Sequence, residues 1–374
     1  MRATVYLDHA ATSWPKPPSV HKAMREAIVR FGGNPGRSAH TLSMGAADVV
    51  FQAREAVAEL LGIRRPEQVV FTMNATYALN TAIKTAIRSP CHILLSDIEH
   101  NAVLRPVHAL VEQLGVEYSV FSTEGDIYSN ICHAIRADTR MLVSTLASNV
   151  TGREIPLSVL SRIRREYGLY TVADASQLLG HAPVSLSEDP VDVLCAPGHK
   201  GLFGAMGCGF AVYEDTPPYT LIEGGSGSES RETGMPQRLP ERLEAGTLPV
   251  PSIASLTAGI SYITGIGLNN IRQKTDQITE QLQRELSAMD GIHIVGSVGH
   301  GIVSFVSERY SPEELARELD RYSICTRAGL HCAPLAHKTF GTQDSGTVRL
   351  SASHTTTDED VLLFLRAMHH ILSQ

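Results

Sequence analysis

Short apolar runs alternate with amphipathic stretches over the first two-thirds of the chain. The runs fall at residues 69–73, 93–96, 116–121, 141–146, 170–173, 191–196 and 208–213. Runs this short and this apolar predict buried strands. Helical stretches lie between most of them. Ala46, Val50, Ala53, Val57, Leu60 and Leu61 follow helical spacing over residues 45–61, and Gly62 is a natural stop. An earlier helix, with Ser19 as its cap, extends to about Val29. Strands alternating with helices predict an α/β fold with a mostly parallel, doubly wound sheet.

The pattern then changes. Residues 223–243 are rich in Gly, Ser, Glu and Arg and read as a long surface loop, of the kind that forms lids or interfaces. Residues 268–289 form an amphipathic helix with Ile271, Ile278, Leu282, Leu286 and Met289 on one face, placed to link two domains. The remainder reads as a smaller α+β unit. Its strands fall near 292–295, 302–306, 323–327 and 347–351, and a last helix spans about 357–372. Ser311, Pro312 and Glu314 make a capping box with proline at the first helical position.

Length and composition narrow the class. A chain of 374 residues suggests two or three domains, and 43% hydrophobic with 19% charged residues describes a globular protein with a large core. The net charge of −7 argues against nucleic acid or an anionic membrane as main partner. The opening residues hold no apolar signal segment, and no apolar run reaches the ~18 residues of a membrane helix. Cys91, Cys132, Cys195, Cys208, Cys325 and Cys332 form no CxxC pair, which suits a reducing, cytoplasmic setting. Cys195 and Cys208 sit in apolar runs and are expected in the core. The histidines are scattered, so a metal site is not expected.

The stretch 191–209, VDVLCAPGHKGLFGAMGCG, holds the candidate chemistry. A buried strand stops at a Pro-Gly turn that presents His199 and Lys200. Ligand crevices of open α/β sheets form at such strand ends. There an ammonium is partly desolvated, which lowers its pKa and makes it a usable amine. A surface lysine in a turn would give the same local sequence. A second strand, in LYTVADASQ at 169–177, ends in Asp174. A strand-end carboxylate shortly before a strand-end lysine resembles the pair that pyridoxal-phosphate (PLP) enzymes use to hold their cofactor.

Nine segments in order carry a wider resemblance: YLDHAAT at 6–12, ATYALN at 75–80, IEHNA at 98–102, SNVTG at 148–152, VADASQ at 172–177, PGHKG at 197–201, EAGT at 244–247, RAGLHCA at 327–333 and VRLS at 348–351. The chain resembles the class V aminotransferase-fold enzymes, and within them the cysteine desulfurases and selenocysteine lyases. The resemblance implies fold type I: a large PLP-binding domain over 15–250 with a mostly parallel seven-stranded sheet, and a small α+β domain from 1–14 and 251–374. It also implies a homodimer.

The same resemblance assigns roles. Lys200 would bind the cofactor aldehyde and later move a proton at the substrate Cα. Asp174 would pair with the pyridine nitrogen, Gln177 would bond the phenolic oxygen and His100 would stack on the ring. Asn149 would lie near the ring and substrate. Ala75, Thr76 and His199 would bind the phosphate, with Thr247 reaching over from the partner subunit. Arg349 would take the α-carboxylate of L-cysteine. Cys332 would attack the substrate sulfur, leaving a persulfide on the enzyme and L-alanine as product, with Arg327 and His331 as neighbouring positive groups. RAGLHCA resembles the group II desulfurases, which usually hand sulfur to an acceptor protein. Two positions depart from the pattern. Pro197 stands where a phosphate-binding serine is common, and Leu330 replaces one of two paired histidines. A selenocysteine lyase, another class V activity (aminotransferase, β-lyase or epimerase) or a relative without catalysis remain alternatives.

Overall fold

The computed structural model describes residues 4–36 and 38–374. Met1, Arg2, Ala3 and Arg37 lie outside the described residues, so the first residues of the expected small-domain range have no structural account.

The chain opens with β1 (Val5–Tyr6), α1 (Pro18–Arg30) and α2 (Thr41–Leu61). Alternation follows: β2 (Val69–Thr72), α3 (Ala75–Ala86), β3 (His92–Ser96), α4 (Asn101–Leu114), β4 (Glu117–Phe121), α5 (Ile127–Ala134), β5 (Thr139–Thr145), α6 (Leu157–Tyr167), β6 (Tyr170–Asp174), β7 (Val193–Pro197) and β8 (Gly209–Tyr213). Two helices come next, α7 (Val250–Ile266) and α8 (Leu268–Ser287). The rest comprises β9 (Ile292–Ile294), β10 (Ile302–Ser307), α9 (Pro312–Arg321), β11 (Ile324–Cys325), β12 (Arg327–Gly329), α10 (Pro334–Thr339), β13 (Thr347–Ser351) and α11 (Asp358–Leu372).

Seven strands form one sheet in the order β2-β8-β7-β6-β5-β3-β4. Within it β8 alone runs against the others. Of the inner strands, β3, β7 and β8 are buried along their whole length, as continuous apolar sequences require once helices cover both faces. Two cores result. One, including Val50, Val57, Leu160 and Leu256, lies against α1, α2, α6 and α7, and the other, including Leu79, Ile83 and Val107, lies under α3 and α4. Cys195 and Cys208 are buried in them, as expected.

A four-stranded antiparallel sheet, β12-β13-β10-β9, packs with α8, α9 and α11 around a third core, which also takes Val5 and Leu7 from the opposite end of the chain. The apolar residues of α7 belong to the first core and those of α8 mostly to the third. The two helices meet at Gly267 with a bend of 79°. Among the described residues no single helix is long and apolar enough to cross a membrane.

Several local expectations shift. The first helix starts on prolines, with Pro17 at the N-cap and no side-chain cap, so Ser19 lies inside it. The second begins at Thr41, before the expected Gly45, because the His40 ring accepts the Ser43 N–H at 3.2 Å. The run 323–327 splits into β11 and β12. The capping boxes at Ser311/Glu314 and Thr357/Asp360 are both formed. The 223–243 stretch contains neither helix nor strand.

Candidate active site

The carboxyl ends of β5, β6 and β7 bring Thr145, Asp174 and the Lys200 turn to one edge of the sheet. The Gly198 N–H donates to the Cys208 carbonyl at 2.9 Å, Gly204 N–H to the Gly198 carbonyl at 2.8 Å and Phe203 N–H to the Lys200 carbonyl at 2.9 Å. The backbone carrying the lysine is thus tied on both sides. A cavity of about 190 Å³ opens there, lined by Ala75, Thr76, His100, Asn149, Asp174, Gln177, His199 and Lys200. Pro197, Thr145 and Ser176 also line it.

Burial sets the charge states. It lowers the Lys200 amine to about 8, with Arg349 and Arg327 acting in the same direction and Asp174 and Asp8 opposing. Near neutral pH a useful fraction of this amine is free base. Asp174, 3% exposed, accepts the Ser176 N–H at 2.9 Å. His100 caps α4, its Nδ1 accepting the Ala102 N–H at 2.9 Å. Burial holds this ring at about 4 despite Asp174, so it is a neutral, planar group at pH 7. His199 is likewise lowered to about 4, by burial first and then by Lys200 and Lys16.

The other end of the cavity is built for an anion. Asn74 caps α3, and its side chain takes the Tyr77 N–H at 2.9 Å. That leaves the Ala75 and Thr76 N–H groups at the positive end of the helix dipole. Gly209 explains the close approach of α3 to the sheet: a Cβ there would meet the Asn74 carbonyl carbon at 2.5 Å and the Ala75 nitrogen at 2.8 Å. An anion cradle, a buried carboxylate, a planar neutral imidazole and a lowered amine together fit PLP.

Arg349 is 1% exposed in β13. Its Nη1 donates to the Asn149 carbonyl at 2.9 Å, which joins the small sheet to the cavity wall, and its Nη2 pairs with Asp8 at 2.9 Å. Its Nε has no partner among the described residues. Asp8 lies in the YLDHAAT segment, but nothing in the sequence indicated this pairing.

Cys332 is exposed, in the loop between β12 and α10. His331 and Cys332 both take left-handed backbone, at φ 48° and 57°, which is strained for non-glycine residues. Two bonds hold the loop to the cavity rim: Asn101 N–H to the Cys332 carbonyl at 2.7 Å, and Asn149 Nδ2 to the His331 carbonyl at 2.7 Å. Arg327 Nη2 stands 4.0 Å from the thiol sulfur. His331, expected beside it as a positive group, is buried, bonded to Thr347 at 2.9 Å and held at about 2 by burial. It is neutral at pH 7, so the positive charge near the thiol comes from Arg327. Thr247 lies apart from these residues, in the wall of a second cavity, where its hydroxyl accepts Asn34 Nδ2–H at 3.3 Å.

A mostly parallel seven-stranded sheet with a lysine, a carboxylate and a helix N-terminus gathered at its carboxyl edge defines the PLP-dependent transferases of fold type I. The family model described as aminotransferase class-V matches residues 5–364, and the chain belongs to that family. A probable cysteine desulfurase of Methanothermobacter thermautotrophicus is 32% identical over 385 residues, covering 99% of this chain and 95% of that protein. One of Aeropyrum pernix is 31% identical over 364 residues, covering 90% and 87%. Among solved structures, the apo cysteine desulfurase of Thermococcus onnurineus NA1 matches with a TM-score of 0.89 and 28% identity, over 99% of this chain and 95% of that one.

Proposed function

We propose that the chain is a PLP-dependent cysteine desulfurase that converts L-cysteine to L-alanine and holds the sulfur as a persulfide on Cys332. The observation that carries this reading is the tethering of an exposed thiol to the rim of the Lys200 cavity, through the Cys332 carbonyl on the amide next to His100. PLP, when bound, supplies an electron sink that weakens the bonds of the substrate Cα. Lys200 binds the cofactor and moves the proton at Cα, tasks that suit an amine near pKa 8. Asp174 would hold the pyridine nitrogen, Gln177 the phenolic oxygen and His100 the ring, all three lining the cavity. Ala75, Thr76 and His199 bind the phosphate. Pro197 has no hydroxyl to add. Arg349 and Asn149 orient the substrate carboxylate.

Cys332 thiolate attacks the substrate sulfur. An S–S bond forms on the enzyme, the substrate C–S bond breaks, and the carbon left behind takes up a proton to become the methyl group of alanine. Arg327 Nη2, 4.0 Å from the sulfur, places a positive charge beside the attacking group.

The cavity in one chain lacks Thr247. A homodimer in which Thr247 reaches the partner's phosphate site completes it, and exposed Met73, Met206 and Ile222 offer apolar surface for such a contact. An acceptor protein that takes sulfur from the exposed loop and a cytoplasmic setting belong to the same reading. The division into 15–250 and the flanking 1–14 and 251–374 places the Cys332 loop and Arg349 on one unit and Lys200 on the other.

The test compares parent and Cys332→Ala protein, loaded with PLP, for alanine and sulfide released from L-cysteine with a thiol reductant. Selenocysteine is run beside it. Loss of alanine release with retained visible absorption supports the desulfurase. Full activity of the variant on cysteine refutes the persulfide step, and a strong preference for selenocysteine makes the protein a lyase.

A further inference from the structure

The segment from Asp8 to Lys16 touches three site residues. Asp8 pairs with Arg349, the Ala10 carbonyl accepts Gln177 Nε2 at 3.1 Å, and the end of the segment closes on His199. Four donors converge on the His199 carbonyl oxygen. They are the Ser13 N–H at 3.1 Å, the Thr12 hydroxyl at 3.1 Å, the Ser13 hydroxyl at 3.1 Å and Lys16 Nζ at 2.8 Å. A carbonyl oxygen has two lone pairs, so this one is over-determined.

That oxygen belongs to the peptide plane joining His199 to Lys200. Because the plane is rigid, holding the oxygen fixes where the Lys200 Cα sits, the point from which its side chain leaves. Lys16 makes the shortest of the four contacts and also donates to Ser13 Oγ at 2.7 Å, which orders a second donor. Among the described residues both its acceptors are uncharged oxygens, and burial lowers its own amine to about 8. A half-buried ammonium facing neutral oxygens costs stability. What it provides in return is a charge-assisted hydrogen bond, stronger than a neutral donor would make.

We propose that Lys16 is a positioning residue that orients Lys200 through the His199 carbonyl. This rests on the reading that Lys200 is the amine that binds PLP. Without Lys16 the turn keeps its own backbone bonds, but the lysine side chain wanders from the cavity axis.

The test follows the growth of visible absorption after PLP is added to apoprotein, in parent, Lys16→Met, Lys16→Arg and Lys200→Ala. Thermal unfolding of each apoprotein is measured alongside. Misplacement on the ångström scale slows capture by about ten- to a hundredfold in Lys16→Met, with kcat for alanine release falling alike and KM for L-cysteine little changed. Lys16→Arg, which keeps a charged donor, recovers most of the rate, while unfolding temperatures stay close to the parent value. Capture by Lys16→Met at the parent rate overturns the inference. So does a loss that merely follows the unfolding temperature and is not recovered by arginine. If Lys16→Met does not fold, Ser13→Ala removes a donor to the same carbonyl and is read by the same criteria. Capture by Lys200→Ala equal to the parent's would instead refute the assignment of Lys200 itself.

Discussion

The turn that presents Lys200 and the loop that presents Cys332 are built in opposite ways. Lys200 follows a strand whose five residues are all buried, and hydrogen bonds on both sides immobilise its backbone. Cys332 is exposed, in strained left-handed backbone, held by two hydrogen bonds to the cavity rim. The lysine must be dry to have a lowered pKa and must stand in one place. A thiol that receives sulfur and passes it to another molecule needs access and room to move. The contrast fits a division of labour, with cofactor chemistry anchored in the large sheet and sulfur transfer placed on a loop.

Substitutions test this contrast. Lys200→Ala should abolish Lys200-dependent visible absorption with PLP and lower alanine formation by about a thousandfold or more, measured by amino-acid analysis. Cys332→Ala should leave that absorption intact, so equal loss of absorption in both variants would break the comparison.

Stability should divide the same way. Glu244 receives Arg54 and the Phe71 N–H in the buried wall that joins α2, β2 and the segment before α7. Glu244→Ala strands a buried guanidinium and should cost about 3–5 kcal/mol in urea unfolding. Arg349→Ala removes the guanidinium that pairs with Asp8 and that we propose takes the substrate carboxylate. KM for L-cysteine should rise about ten- to a hundredfold, the worth of a charged hydrogen bond, with a smaller change in kcat.

Acid should act on both sides, because burial lowers His331 beside Cys332 as well as the rings around the lysine turn. Burial lowers His9 and His181 to about 3, and His100, His199 and His354 to about 4. These rings take up protons near 6.5 once unfolded but not while folded. Their contribution is therefore fully present above about pH 6.5 and is lost as pH falls toward 4 and then 3. The unfolding temperature of the apoprotein should decline across that window, and Lys200→Ala should decline in parallel. The smallest effect is expected at the loop. Cys332→Gly suits positive φ and should leave stability unchanged or raise it by no more than about 1 kcal/mol. A large loss there would mean that the loop is as rigid as the turn.

What was legible in the sequence follows the same line. The strands were readable because continuous apolar runs have one use in a sheet covered on both faces, and the motifs at their ends led to eight residues that line one cavity. Contacts between distant segments were not readable. The Asp8–Arg349 pair spans 341 positions and Lys16 to the His199 carbonyl spans 183, and neither leaves a periodic trace. Helix starts moved because α1 begins on prolines and the His40 ring caps α2, and α10 was not foreseen, its six residues being too few for a helical period. His331 was expected to be charged from its place beside Cys332, whereas its burial makes it neutral.

The most direct test of the central claim is mass analysis of the Cys332 peptide after the PLP-loaded protein meets L-cysteine without reductant. The account predicts one added sulfur on that peptide, formed in step with one alanine per active site and absent from Lys200→Ala. Alanine formed at the full rate with no sulfur on Cys332 would contradict it.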